Sequence, residues 1–390
     1  MDILMEIEEE ELERLARRKA RREQMFREKQ LQLERRRKMK KLLLLGGRAA
    51  VLLIAAGVIG MGTVKFLGNR GLKDKEATVV ETGNTSFLEK TDPAANKEEE
   101  EGIDTITPET EISDNLNDKV VIEFNSASDQ KYIYNEEIIS TNAVLIDEKN
   151  NVVIAGKEEK QRISPASMTK VLTILVAAEQ LEESRLEDTF IMTREITDYG
   201  FINDCSSVGF LEGEEVAVKD LIYGTILPSG ADAAVGLATY VAGSQEAFVE
   251  LMNKKLESLG IGKTSHFTNC VGVYDENHYS TVYDMAVIMK AAISNEFCKK
   301  VLSEHTYTTA STPQHPEGIT ISNWFLRRIE DKDAGGTVLC AKTGFVNESG
   351  SCAVSYGNFK DGTPYICVTV GAYSSWRCIY DHVEIYNRYV

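Results

Sequence analysis

After Lys170 the chain reads Val-Leu-Thr-Ile-Leu-Val-Ala-Ala to residue 178, apolar nearly all round. Such a run predicts a helix buried in a core rather than lying on its surface. The residues before it, Ser164-Pro165-Ala166-Ser167-Met168-Thr169-Lys170, suit a helix start, with Ser164 as the expected N-cap and Pro165 as the first helical residue. Further helical periodicity covers residues 218–227, 231–242, 245–259 and 282–293. Two short apolar runs, 143–147 and 152–155, flank Glu148-Lys-Asn-Asn151 and predict a hairpin. Three more predicted strands close the chain, at 337–341, 351–356 and 365–372, with Asp361-Gly362 as a tight turn. A strand pair, a helical middle and consecutive terminal strands predict an α+β domain, with one antiparallel sheet built from both ends of the segment 126–390.

The pattern changes before that domain. Residues 1–41 hold an acidic start, then a basic run, in good helix formers with no Gly or Pro. No sustained heptad is present, so this is expected to be a solvated helix or tail, with a cytoplasmic partner or anionic lipid as the sharper alternative. Residues 42–66 are apolar apart from Arg48 and Lys65, long enough to span hydrocarbon. Their amino-terminal flank is strongly basic, so the expected topology is single-pass, amino terminus in the cytoplasm and domain outside. Residues 67–125 are polar, acidic and nearly free of aromatics, an expected disordered tether. The net charge of −17 argues against a nucleic-acid binder.

Chemistry enters with Ser167 and Lys170. At i and i+3 they share a helix face. A helix N-terminus favours developing negative charge, and a desolvated lysine can take a serine's proton. Ser-x-x-Lys alone is weak, since Ser128-Asp-Gln-Lys131 matches it too. Two later segments strengthen it: Ser229-Gly-Ala-Asp232, at a turn between two expected helices, and Lys342-Thr343-Gly344, expected to end the strand 337–341. A Lys and Thr beside a Gly on a strand edge suit a carboxylate. Gly260-Ile-Gly-Lys-Thr264 fails as a phosphate loop, because the first glycine of that motif falls at Glu257. The five histidines lack ligand spacing, and no metal site is expected. Seven cysteines lie within 205–378 without Cys-x-x-Cys spacing; pairing and buried free thiols both stay open.

In this order the three motifs resemble those of penicillin-binding proteins. Residues 142–390 are similar throughout to the D-alanyl-D-alanine carboxypeptidases, the low-molecular-weight members of that group. Pro165-Ala-Ser-Met-Thr-Lys170, Pro228-Ser-Gly-Ala-Asp-Ala233, Tyr283-Asp-Met-Ala286 and Lys342-Thr-Gly-Phe-Val-Asn-Glu-Ser-Gly350 carry the resemblance. It implies a DD-peptidase/β-lactamase-like fold, a sheet flanked by helices with a helical subdomain. It implies a serine D-Ala-D-Ala carboxypeptidase that trims peptidoglycan pentapeptides through an acyl-enzyme, without metal or cofactor, and is acylated by β-lactams. Ser167 would be the nucleophile, Lys170 its base and Ser229 the relay to the departing D-alanine. Lys342, Thr343, Gly344 and Arg377 would hold the terminal carboxylate, with the backbone N–H groups of Ser167 and Phe345 as the oxyanion hole. The third residue of the second motif is usually Asn in this group and is Ala231 here. Weak activity or a site that only binds cell-wall peptides or penicillin is therefore an alternative. Transpeptidation stays open, while a β-lactamase is disfavoured, since no Glu-x-x-x-Asn follows the second motif. Without the second β-rich domain and amphipathic tail of many relatives, the amino-terminal span is the expected anchor.

Overall fold

The computed structural model describes residues 120–134 and 136–390. The expected tail 1–41, the membrane anchor 42–66 and residues 67–119 of the tether lie outside the described residues. Among the described residues, no helix is long and apolar enough to cross a membrane.

In chain order the strands are β1 (Asn125–Tyr132), β2 (Asn142–Asp147), β3 (Val152–Lys157), β4 (Thr189–Ile191), β5 (Glu215–Ala217), β6 (Thr306–Thr308), β7 (Thr320–Ser322), β8 (Gly336–Val346), β9 (Gly350–Phe359) and β10 (Pro364–Ala372). The helices are α1 (Thr169–Gln180), α2 (Arg194–Ile202), α3 (Val218–Ile226), α4 (Ala231–Ala242), α5 (Gln245–Ser258), α6 (Val282–Ser294), α7 (Glu296–Ser303), α8 (Trp324–Ile329) and α9 (Ser375–Tyr389). The main sheet has the order β1-β3-β2-β10-β9-β8, so strands from both ends of the domain meet at β2 and β10. Its pairings are antiparallel except at one edge, where β1 runs parallel to β3. The expected all-antiparallel sheet is thus corrected to a mixed one. The decoy motif Ser128–Lys131 lies in this extended β1 and not on a helix.

Alternation along β2 explains the layering. Val144 and Ile146 enter a large core with α1, α3, α4 and α6, whereas Ala143 and Leu145 pack towards α8 and α9. Both faces are covered, so β2 is buried at every position. Helix α1 is buried from Thr169 to Ala177 and runs through the larger core, which is why its sequence lacks a polar face.

Three boundaries differ from expectation. Packing begins before residue 126: Ile122 N donates to Leu259 O, and Phe124 is buried edge-on to Tyr283. Apolar side chains can enter a core from an otherwise polar tether. Strand β8 continues past residue 341 to Val346, so Lys342-Thr343-Gly344 lies within the strand rather than at its end. The chain ends in α9, a helix absent from the sequence-based expectation. Cys378, Ile379, His382, Val383 and Tyr386 bury one face of it, and Ser374 Oγ caps it by accepting from Arg377 N. All seven cysteines are free thiols.

Candidate active site

The start of α1 differs from the expected capped helix. Ser164 Oγ is buried without a hydrogen-bond partner and caps nothing. Instead residues Ala166–Met168 form a short 3₁₀ turn, and α1 begins at Thr169. Ala166 takes φ +47°, a left-handed conformation that costs about 1–3 kcal/mol for a residue with a β-carbon. That kink sets Ser167 on a turn ahead of the helix, half-exposed, rather than along its side.

Lys170 is fully buried. Its Nζ lies 3.0 Å from Ser167 Oγ and donates to Val271 O at 2.7 Å. Burial is the main reason its amine is lowered from 10.5 to about 8. The charge of Asp232 opposes this; Cys205 and Cys270 also oppose it formally, but burial pushes both thiols up, so they stay neutral. Roughly a tenth to a fifth of Lys170 is therefore neutral near physiological pH, beside a hydroxyl, against well under a hundredth for an ordinary lysine.

The segment 269–273 fixes that geometry and escaped the sequence analysis. Asn269 Oδ1 accepts from the backbone N–H groups of Val271, Gly272 and Val273 at 3.1, 2.7 and 3.0 Å, while its Nδ2 donates to Val273 O. The loop is clipped to α1 three times: through Lys170, through Thr173 Oγ1 donating to Cys270 O, and through His278, which lies 2.8 Å from Thr169 Oγ1. His278 Nδ1 accepts from Thr268 N, so its proton sits on Nε2 and points at Thr169. Burial lowers this histidine to about 3, and it stays neutral. The signal was an Asn-x-x-Gly turn after Phe267-Thr268, too short to be read without the fold.

Strand β8 forms the sheet edge beside the turn. A β-carbon on Gly344 would lie 2.9 Å from Ser167 N and 3.0 Å from Ala166 Cβ, so only glycine lets the strand approach this closely. Lys342 is buried, its Nζ donating to Thr343 O at 2.8 Å. Desolvation, and then the charge of Lys170, hold its amine well below the usual lysine value. The amine of Lys342 thus lies close enough to Lys170 to feel its charge. Thr343 is half-exposed and Phe345 exposed, at an edge whose other side pairs with β9.

Ser229 lies on the turn between α3 and α4, half-buried at φ +64°. No hydrogen bond joins its hydroxyl to Ser167 or Lys170. Next to it, Asp232 accepts from Val208 N and Gly209 N, and Ala231 N donates to Ser206 O. These bonds dock the segment 205–209 on the start of α4 and bring Cys205 near Lys170. Ala231 itself is wholly buried. Arg377 sits in the first turn of α9. Its Nε donates to buried Asp381 at 3.1 Å, and its Nη2 is buried with no partner. Among the described residues, no cluster of three or more His, Cys, Asp or Glu could hold a metal ion.

Comparison with known proteins agrees with this arrangement. The chain is 32% identical over 233 residues to the D-alanyl-D-alanine carboxypeptidase DacF of Bacillus subtilis, covering 59% of this chain and 57% of that protein. It is 37% identical to DacD of Escherichia coli over 41% of this chain and 42% of that protein. The chain thus spans about half the length of the curated relatives it matches. Among solved structures, a variant of a Streptomyces DD-transpeptidase superposes with a TM-score of 0.59 at 25% identity, covering 64% of this chain and 97% of that one. Penicillin binding protein 5 from Haemophilus influenzae gives 0.56 at 28% identity over 66% and 70%. The profile of one family matches residues 126–374, well over half of the sequence, and by that match the chain belongs to the D-alanyl-D-alanine carboxypeptidase family.

Proposed function

We propose that this protein is a serine D-Ala-D-Ala carboxypeptidase acting on peptidoglycan stem peptides. One observation carries the reading: a buried lysine with its amine lowered to about 8 stands 3.0 Å from a half-exposed serine hydroxyl. Ser167 Oγ attacks the carbonyl between the two D-alanines as Lys170 Nζ takes its proton. The oxyanion that forms is met by the backbone N–H groups of Ser167 and Phe345, a pairing that the close packing of Gly344 against Ser167 N supports. Ser229 passes a proton to the leaving amine. Water then hydrolyses the ester and frees Ser167.

The terminal carboxylate is held by Lys342, Thr343 and Arg377. The unpartnered Nη2 of Arg377 supports this, because a buried guanidinium nitrogen without an acceptor favours an anionic ligand. The exposed edge of β8 supports pairing with an extended peptide backbone. A β-lactam would acylate Ser167 by the same attack. Residues 42–66 would anchor the chain in the cell membrane, with 1–41 in the cytoplasm, open to a partner there, and the domain on the outer side.

Ala231 favours one second reading. An apolar, buried residue where the group usually has an amide removes a hydrogen bond from the cleft, and losing one positioning contact can cost about a hundredfold in rate. A slow enzyme, or one that binds stem peptides and penicillin without turnover, would follow. The test is incubation of the full-length chain with a pentapeptide ending in D-Ala-D-Ala, followed by mass spectrometry. Loss of one alanine, abolished by Ser167→Ala, is expected. Fluorescent penicillin labelling without any peptide product would move the reading to the binding protein. Labelling that survives Ser167→Ala would reject the assigned nucleophile.

A further inference from the structure

The chain has two tryptophans, 52 residues apart, and both converge on one guanidinium. Arg328 Cζ lies 5.7 Å from the Trp324 ring centroid and 4.9 Å from that of Trp376. Arg327 lies 5.8 Å from Trp324, Lys332 Nζ 5.7 Å from Trp376, and Tyr380 stacks on Trp376 at 6.4 Å. Arg328 Nη1 also donates to Ser375 Oγ at 2.9 Å, which holds the group in place. Yet Trp324 remains 55% exposed. A large ring held by cations while open to water is an unusual use of the costliest side chain to expose.

We infer that Trp324, Arg328 and Trp376 form a platform for the amino-sugar chain that carries the stem peptides. This rests on the reading of the site as a peptidoglycan peptidase. The charge balance favours a sugar over other partners. Residues 324–333 hold Arg327, Arg328 and Lys332 against Glu330, Asp331 and Asp333, for no net charge. A polyanion would need a positive surface, and a docked protein would favour a patch centre depleted of Lys, Asp and Glu. A pyranose offers an apolar C–H face to a ring and hydroxyl edges to both donors and acceptors, and this patch supplies all three.

The placement fits as well. Asn323 Nδ2, next to Trp324, donates to Ala341 O, one residue before Lys342. Trp376 directly precedes Arg377. The platform is therefore tied at both ends to residues proposed to hold the peptide, and a glycan lying on it would raise the local concentration of its own stem peptides.

Because the full-length chain contains no other tryptophan, tryptophan emission excited selectively over its tyrosines reports on this patch alone. Titration with glycan strands stripped of peptide is expected to give a saturable change. Read as the midpoint of the change at the remaining Trp376, the affinity should weaken about tenfold or more in Trp324→Ala and hold nearly steady in Trp324→Tyr, while fluorescent penicillin labels all three proteins alike. No fluorescence change in protein that labels normally would overturn the platform and leave the peptidase reading intact. An equal response to a polyphosphate, lost in salt, would also overturn it in favour of a plain anion site. Glycan binding in protein that never labels would uphold the platform and count against Ser167.

Discussion

Gly272 presses on Ala166: a β-carbon at Gly272, which takes φ +91°, would lie 1.9 Å from the Ala166 carbonyl oxygen and 2.9 Å from Ser167 N. Ala166 is itself left-handed at φ +47°. A strained alanine and a glycine in a conformation that only glycine takes easily therefore meet directly behind the serine, packed against each other. Gly272→Ala should cost about 2–4 kcal/mol in denaturant unfolding, because both strain and overlap oppose it. It should also slow penicillin labelling of the remaining folded protein. Wild-type stability and labelling in this variant would show that the contact does not hold the turn.

The pH dependence follows from Lys170. Burial disfavours its ammonium, and the neutral amine that can accept a proton grows as pH rises through about 8. Labelling by penicillin should therefore rise from pH 6 to 9, falling about tenfold per unit on the acid side. His278 contributes no step in this range, since burial keeps it neutral down to about 3. Lys170→Arg, which cannot deprotonate, should lose about a hundredfold or more. A flat profile in wild type would remove Lys170 as the base.

Much of this was legible along the chain. Helix α4 begins and ends where its periodicity says, because Ser229-Gly230 before it and Gly243 after it leave no other reading. The pairing of Ser167 with Lys170 followed from spacing. The geometry that makes the pair useful did not. The kink at Ala166 is imposed from a distance by Gly272 and Gly344, and no local pattern encodes a contact across 100 residues. Helix α9 was missed for another reason. Its buried face includes Asp381 and His382, polar residues satisfied by Ser140, Ser355 and Thr369, and polar core positions blur an amphipathic stripe. With α9 unread, Arg377 could be placed only by resemblance.

Asn269 is expected to act on catalysis through Lys170. Its single oxygen organises three backbone N–H groups, and the loop so formed presents Val271 O to the amine. Asn269→Ala should cost about 1–3 kcal/mol through the unpaired donors it leaves. A merely structural role would stop there. Loosening the loop should also admit water to Lys170, restore its preference for the ammonium, and move the pH midpoint of labelling above 8. Asn269→Asp keeps the acceptor and should move it less. An unchanged midpoint in Asn269→Ala would confine this residue to stability.

Asp381 positions Arg377. Its buried carboxylate accepts from Ile139 N, Ser140 N and Ser140 Oγ on one side and from Arg377 Nε on the other. Burial pushes this acid up from its ordinary value, and these bonds with the Arg377 charge offset only part of that. Asp381→Asn removes the charge that orients the guanidinium while keeping the shape. KM for a peptide with a free terminal carboxylate should then rise about tenfold, with a smaller change in kcat. The same peptide ending in an amide has no carboxylate for Arg377 to meet, so the preference for acid over amide should shrink. Arg377→Ala should shrink it at least as far. If the preference persists in both variants, the carboxylate is held by Lys342 and Thr343 without help from α9.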